Sequence, residues 1–348
     1  MSVWVPGNLL KALFGIVNIL PIKKVITRQV NEDSLSSGKR SSLLLDLVVL
    51  QRMRVNTLLG RSIFRVLVTF FRAKLFWILR ANDLLIIPAD IWDLVPRKNR
   101  RRVVLEVRWV AQNLIDSLNI PRMTYHKYEN VSTSGIPPIT PDLWQHFFGF
   151  LTYSEIAKES LIISGADPRK ILVIPLLQHN ALSISNDIVD SRSQRLLYVG
   201  RSTPEKRLDL AVEIATMLKL PLDIVGKYNA PTIEWLNMQP GVCYIGELPH
   251  NDLLYMMQSN LALLSPGIDS WGLAVVEALQ SGMSVYASKF IGVTEWIEHP
   301  NLHVIPEMNS DRFVKEFGLD IKNSETCKIF VDIDYKSRLM KFLTNLEP

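Results

Sequence analysis

Two carboxylates and two cations stand at spacings that suit chemistry on an elongated, charged ligand. Asp269 and Glu277 lie eight positions apart in residues 265–278, SPGIDSWGLAVVEA, with Trp271, Gly272 and Leu273 between them. Eight helical residues span on the order of 12 Å, so the two acids could hold opposite ends of such a ligand. Upstream, the run RLLYVGRSTPEK places Arg201 and Lys206 directly after an apolar strand. Arginine offers a planar fork and lysine a point charge, and two such cations in one turn can converge on a diphosphate. The same residues would also suit ordinary strand-to-helix turns with solvated charges, so the elements that carry them decide.

Those elements read as follows. A loop carries Asp269, Ser270 stands near an N-cap, and a short helix bears Glu277. Val275, Val276, Ala278 and Leu279 make that helix apolar on one side, and Gly282 stops it. A helix N-terminus facing a cleft holds phosphate oxygens through its free N–H groups and its dipole. Leu261-Ala262-Leu263-Leu264 reads as the strand feeding this loop. Ile224-Val225 before Gly226, and residues 242–246 ahead of Asp252, are further short apolar runs of strand length.

The first half also alternates strands and helices. Leu84-Leu85-Ile86-Ile87 and residues 103–107 read as buried parallel strands, with the basic run 97–102 as a loop between them. Residues 150–175 read as strand, helix capped by Ser154, Gly165, and a strand ending at Pro175. Residues 176–194 lose all periodicity and read as an interdomain linker. The division expected is therefore 1–175, the linker 176–194, 195–330, and a final segment 331–348.

The stretch around Asp269 and Glu277 resembles the E-x7-E signature of retaining family-4 glycosyltransferases, usually written S-x-x-E-x-F-G-x-x-x-x-E-A. Ser265 or Pro266 takes the serine position, Asp269 the first glutamate, Trp271 the phenylalanine, and Glu277-Ala278 match. Gly200-Arg201 through Lys206 resembles that family's G-R-x-x-x-E-K-G segment, and Gly292-Val293-Thr294-Glu295 its later G-x-x-E turn. The resemblance implies an α/β, GT-B fold: two Rossmann-like domains facing a cleft, with residues 331–348 crossing back onto the first. It implies a retaining transferase that needs no metal or other cofactor and takes a UDP- or GDP-linked sugar. Arg201, Lys206 and Asp269 would act on the reacting groups, and Gly200, Gly226, Trp271, Gly272, Leu273 and Glu277 would line the donor site. The acceptor, a glycan or a lipid-linked molecule, would meet the first domain near Gly38 and Arg108. Four residues depart from the pattern: Asp269 for glutamate, Arg108 for a histidine, His179 for an aspartate, and Arg207 for a glycine. Asp269 and Arg108 also suit a non-catalytic GT-B scaffold that binds a nucleotide sugar without turnover, and sugar interconversion without an acceptor would suit an epimerase.

Composition bounds the remaining choices. At 348 residues, 48% hydrophobic and 21% charged, the chain is an ordered, core-forming protein of two-domain length. Its two cysteines lack metal spacing, which points to a reducing, cytoplasmic setting. His299 and His303 are four apart, but Pro300 breaks the helix that a metal pair would need. Charge is uneven: residues 1–110 carry net +12 and the remainder −7. A basic half favours an anionic neighbour, and without nucleic-acid motifs a membrane surface fits better than RNA or DNA. Residues 60–80 read as a basic amphipathic helix with Arg61, Arg65 and Arg72 on one face, suited to peripheral docking. Residues 1–22 read as an interfacial or core helix, since Pro6 and Pro21 bracket only about 14 residues, too few to span a bilayer.

Overall fold

A computed structural model describes residues 2–5, 24–27, 84–89, 97–108, 112–118, 145–175, 193–201 and 203–317, with Val95, Val110, Ile120, Arg338 and Phe342. The expected amphipathic helix 60–80, the Gly38 turn, His179 and most of the linker lie outside these residues.

Strands β1 (Ser2–Val5), β2 (Lys24–Thr27), β3 (Leu84–Pro88), β4 (Val103–Glu106), β5 (Gly149–Thr152) and β6 (Ile171–Val173) form one six-stranded sheet, in the order β2-β1-β3-β4-β5-β6. Every pairing in it is parallel. Helix α1 (Gln112–Ser117) follows β4, and α2 (Glu155–Ile163) joins β5 to β6. Within residues 1–22, expected to be helical, Ser2–Val5 is instead a strand paired with β2 and β3, and the stretch between Pro6 and Pro21 lies outside the described residues. Four residues are too few for periodicity to separate strand from helix, and pairing decides. The run 97–102 is a 3-10 helix rather than a loop, with Arg100 buried and its Nε donating to the Val95 carbonyl at 3.3 Å.

The second sheet comprises β7 (Leu196–Val199), β8 (Leu222–Val225), β9 (Val242–Gly246), β10 (Ala262–Ser265), β11 (Ser284–Ser288) and β12 (Leu302–Ile305). Helices α3 (Leu208–Leu218), α4 (Ala230–Asn237), α5 (His250–Ser259), α6 (Leu273–Gln280) and α7 (Ser310–Phe317) connect or flank them. The sheet order is β12-β11-β10-β7-β8-β9, again all parallel. Counted within this half, it is the doubly wound order 3-2-1-4-5-6 reversed left to right. The strand order reverses between β7 and β10, where Leu197 sits beside Leu263. Ligands bind at the carboxyl ends of strands at such a switch point.

Strand alternation explains the layers. Leu196 and Tyr198 face a core with α3 and α7, including Leu208, Ile214 and Phe313. Leu197 faces the opposite way, into a core holding Val275, Val276 and Leu279 of α6. Successive side chains of a strand take opposite faces, and both faces here are covered by helices. Each such leucine or valine contributes roughly 1.5–3 kcal/mol on burial. The second core continues to Val104, Leu151 and Leu172 of the first sheet and to Phe342. Phe342 lies against β5: a Cβ on Gly149 would stand 2.6 Å from its ring.

Candidate functional site

The loops after β7 and β10 bring the cation and the carboxylate together. After β7, Gly200 and Arg201 lead to a 3-10 turn over Pro204–Lys206. After β10, residues 266–272 run to the head of α6. Lys206 Nζ lies 2.5 Å from Asp269 Oδ2 and donates to the Ile268 carbonyl at 3.2 Å. The two loops are stitched along their backbones, since Ile268 N donates to the Glu205 carbonyl at 2.7 Å. Gly267 makes this close approach possible: a Cβ there would be 2.6 Å from the Lys206 carbonyl carbon. Burial works against ionisation of Asp269, but the Lys206 charge and hydrogen bond hold its carboxyl below the usual aspartate range. Arg201 is exposed and pairs at 3.6 Å with Glu205, whose other contact is the Thr203 hydroxyl at 2.6 Å. Lys206 and Asp269 line a cavity of about 30 Å³ with Gly272, Ser265 and Tyr198.

The remaining residues expected to line the donor site divide by what they present. Gly272 is the N-cap of α6 in the left-handed region (φ 95°), a conformation suited to glycine, and no side chain caps the helix. Ser270, expected near the cap, instead turns its hydroxyl away and donates to the Arg108 carbonyl at 2.5 Å. Leu273 is exposed on the first turn of α6. The ring of Trp271 is buried in the core between the sheets, so this residue anchors the loop by packing, while its backbone N–H donates to Asp269 Oδ1 at 3.3 Å. Glu277 is half-buried on α6, and burial pushes its carboxyl up, with His250 Nδ1, 4.0 Å away, opposing the shift. Gly226 ends β8 against Gly200; a Cβ there would overlap the Gly200 carbonyl oxygen. Gly38 lies outside the described residues.

On the first half, Arg108 stands beyond β4, 43% exposed, with its guanidinium 2.7 Å from Glu106 Oε2. Glu106 is fully buried and also accepts from the Tyr153 hydroxyl. Burial and the Glu106 carboxylate push the Tyr153 hydroxyl far above its usual range. Sequence reasoning singled out Arg108 and passed over both partners. The signal was present in VVLEV, a lone acid inside an apolar strand, because a buried carboxylate needs a partner. The histidines have other uses: Nδ1 of His299 accepts from Asn301 N at 3.1 Å, and His303 stacks on Tyr286. Among the described residues no group of three or more metal-type ligands occurs.

With this geometry in hand, the likeness to known proteins is specific. Residues 185–336 match the family model described as Glycosyl transferases group 1. In three dimensions the chain is similar to Alr3699/HepE of Anabaena in complex with UDP and glucose, with a TM-score of 0.55 and 14% identity, covering 99% of this chain and 93% of that one. It is also similar to sucrose-phosphate synthase (tll1590) from Thermosynechococcus elongatus, with a TM-score of 0.53, 16% identity, and 72% and 68% of the two chains covered. A third similar structure is the lipopolysaccharide outer core galactosyltransferase WaaB in its apo form (TM-score 0.50, 16% identity, 91% and 89% covered). No curated protein matches the chain in sequence. The fold these structures share with the chain is GT-B, two doubly wound α/β halves. The segment matched by the group 1 model, 185–336, contains Arg201, Lys206, Asp269 and Glu277.

Proposed function

We propose that the protein moves a sugar, with retention at the anomeric carbon, from a UDP- or GDP-linked donor to a glycan or lipid-linked acceptor. One observation carries this reading: Lys206 and Asp269 meet at 2.5 Å at the switch point of a doubly wound sheet, beside the open head of α6. As the bond from the anomeric carbon to the diphosphate breaks, its electron pair moves onto a phosphate oxygen. Lys206, Arg201 and the N–H groups heading α6 neutralise that charge, taking the part a divalent ion plays elsewhere. Asp269 then faces the sugar, Glu277 the ribose hydroxyls, and Gly200 and Gly226 give the phosphates close access to the backbone. No cofactor enters this scheme.

The acceptor is received by the first domain, on the side of Gly38 and Arg108. In this reading the domains run 1–175 and 195–330, joined by 176–194. Segment 331–348 crosses back to the first domain, as the packing of Phe342 against Gly149 supports. Closure of the two domains over the donor would exclude water and so disfavour hydrolysis. The protein works in the cytoplasm, peripherally on an anionic membrane, through its basic first 110 residues; among the described residues no helix is long and apolar enough to cross a membrane. HepE was captured with UDP and glucose and WaaB is a galactosyltransferase, both in keeping with a nucleotide-sugar donor.

A thermal-shift panel of UDP- and GDP-sugars tests the reading, because a bound donor raises the melting temperature with its concentration. One member of the panel should raise it and be turned over when acceptor is supplied. No shift with any member overturns the reading; a shift with no turnover indicates a scaffold, and sugar interconversion without acceptor an epimerase.

A further inference from the structure

Glu295 sits outside the catalytic constellation, yet its carboxylate reaches the other half of the molecule. Oε2 accepts from the backbone N–H of Glu155 at 2.6 Å, and Oε1 from that of Ile156 at 2.9 Å. These are orphan donors in the first turn of α2, whose own cap, Ser154, accepts only from Ala157 N at 3.2 Å. A carboxylate at a helix N-terminus is favoured by both hydrogen bonding and the helix dipole. Here the cap comes from the 3-10 turn Gly292–Glu295 of the second sheet's domain, across 139 residues of chain.

The same turn is bonded to Asp269. Gly292 N donates to the Asp269 carbonyl at 2.9 Å, and Asp269 N donates to the Phe290 carbonyl at 3.1 Å. A parallel bridge joins Asp269 to Ile291. Gly292 also packs directly on Ser154, where a Cβ would stand 2.6 Å from its side-chain atoms. Residues 290–295 therefore hold Asp269 with their first half and the head of α2 with their second. Next to this contact, Ser270 donates to the Arg108 carbonyl at 2.5 Å, a second bond between the halves within one residue of Asp269.

We propose that Glu295 is a positioning residue that couples docking of the acceptor domain to the placement of Asp269. When α2 docks on Glu295, the turn is fixed, and with it the backbone of Asp269 and the carboxylate that meets Lys206. When the domains part, the turn loses its anchor and Asp269 loses its register. Chemistry is thereby confined to the closed form. The effect on turnover rests on the transferase reading; the coupling itself does not.

Hydrogen exchange and kinetics on the full chain separate the two. In Glu295→Ala, amide exchange should rise about tenfold or more at 155–156 and also at Asp269 and Gly292. Glu295→Gln, which keeps one acceptor oxygen, should restore most of the protection at both places. With the donor found in the panel, kcat of Glu295→Ala should fall about tenfold or more, since displacement by about 1 Å can cost a hundredfold. The dissociation constant of UDP or GDP should change less than twofold, as Glu295 touches none of the donor-side residues. Faster exchange at 155–156 alone, with Asp269 and Gly292 unchanged, would show a mere helix cap and overturn the coupling. Unchanged exchange at 155–156 would overturn the contact itself. If exchange rises at both places but no donor is turned over by the unaltered protein, the coupling stands and the transferase reading fails.

Discussion

Lys206→Ala separates the structural from the catalytic weight of the charge pair. Lys206 Nζ and Asp269 Oδ2 are 2.5 Å apart, with side chains 17% and 33% exposed. At an effective dielectric near 20, a pair at about 4 Å gains roughly 4 kcal/mol before desolvation and screening are counted. Those costs leave about 1 kcal/mol for an ion pair this close to solvent. Fold stability should therefore fall by only a few degrees in melting temperature. Turnover should fall far more, because the cation meets its largest charge as the diphosphate departs; losing one such group costs on the order of 10²–10³ in rate. The acid limb adds a sign test. Asp269 is held below its ordinary range by Lys206, so its contribution to stability is present above pH ~4 and is lost as pH falls through the folded value. Without Lys206, the two strongest influences that lower the carboxyl are gone and only the Trp271 N–H and Arg201 oppose burial, so the carboxyl rises and the stability gap between the two proteins should narrow on acidification. The assay is release of nucleoside diphosphate at saturating donor, with Lys219→Ala as control, since Lys219 is an exposed left-handed C-cap of α3 (φ 55°). Equal turnover in the two variants would refute both the clamp and the transferase reading.

Three other outcomes follow from the same geometry. Asp269→Asn, which keeps the turn but loses the charge, should cost turnover about a hundredfold, while Asp269→Glu retains more; a fully active Asp269→Asn would remove the carboxylate from the mechanism. Gly226→Ala should destabilise the second domain by about 1–3 kcal/mol in urea unfolding, because φ is +156° and the new Cβ would overlap the Gly200 carbonyl; an unchanged midpoint would contradict the packing of these two turns. Co-sedimentation with vesicles rich in phosphatidylglycerol should be strong at low salt and weaken at high salt, driven by the net +12 of residues 1–110. Equal binding to phosphatidylcholine vesicles would exclude the electrostatic part.

The second half was legible residue by residue because its strands are apolar runs broken by glycine and its turns carry charge. Leu261–Leu264 and Ile224–Val225 could be placed as strands before any pairing was known, and Ser154 as a cap. Arg207 shows what spacing could not reveal. It occupies a glycine position of the resembled motif and indeed adopts the left-handed conformation (φ 51°, ψ 48°). Such a conformation costs a non-glycine residue about 1–2 kcal/mol, and here the buried guanidinium meets Asp209 at 3.0 Å. The turn survives the substitution because a local ion pair offsets the strain. The first half was less legible for a physical reason. Its strands β1 and β2 are four residues each and owe their form to partners far along the chain. The roles of Glu106 and Tyr153 escaped notice likewise, and Glu295 was visible only as the end of a G-x-x-E turn, since these roles exist only across strands or across the two halves.

The aspartate at position 269 is better understood as a different solution than as a shortened glutamate. Its Oδ1 accepts from the N–H two residues ahead, the local turn that aspartate makes readily, while Oδ2 meets Lys206. A glutamate reaches further but does not form that turn, so it would trade backbone anchorage for reach. Its main chain is held on both sides by the 290–295 turn, and the buried ring of Trp271 pins the next turn of the loop. Arg201 has a partner in Glu205 in the same way, though at 3.6 Å and in solvent. Each of these two cations thus has a carboxylate partner of its own. Of the two, Lys206 is the more buried and more tightly held, and it stands on the carboxylate whose backbone is tied to the opposite half. Under the proposed transfer, Lys206 is the cation placed to answer the departing diphosphate, and the proposed coupling would reach it through Asp269.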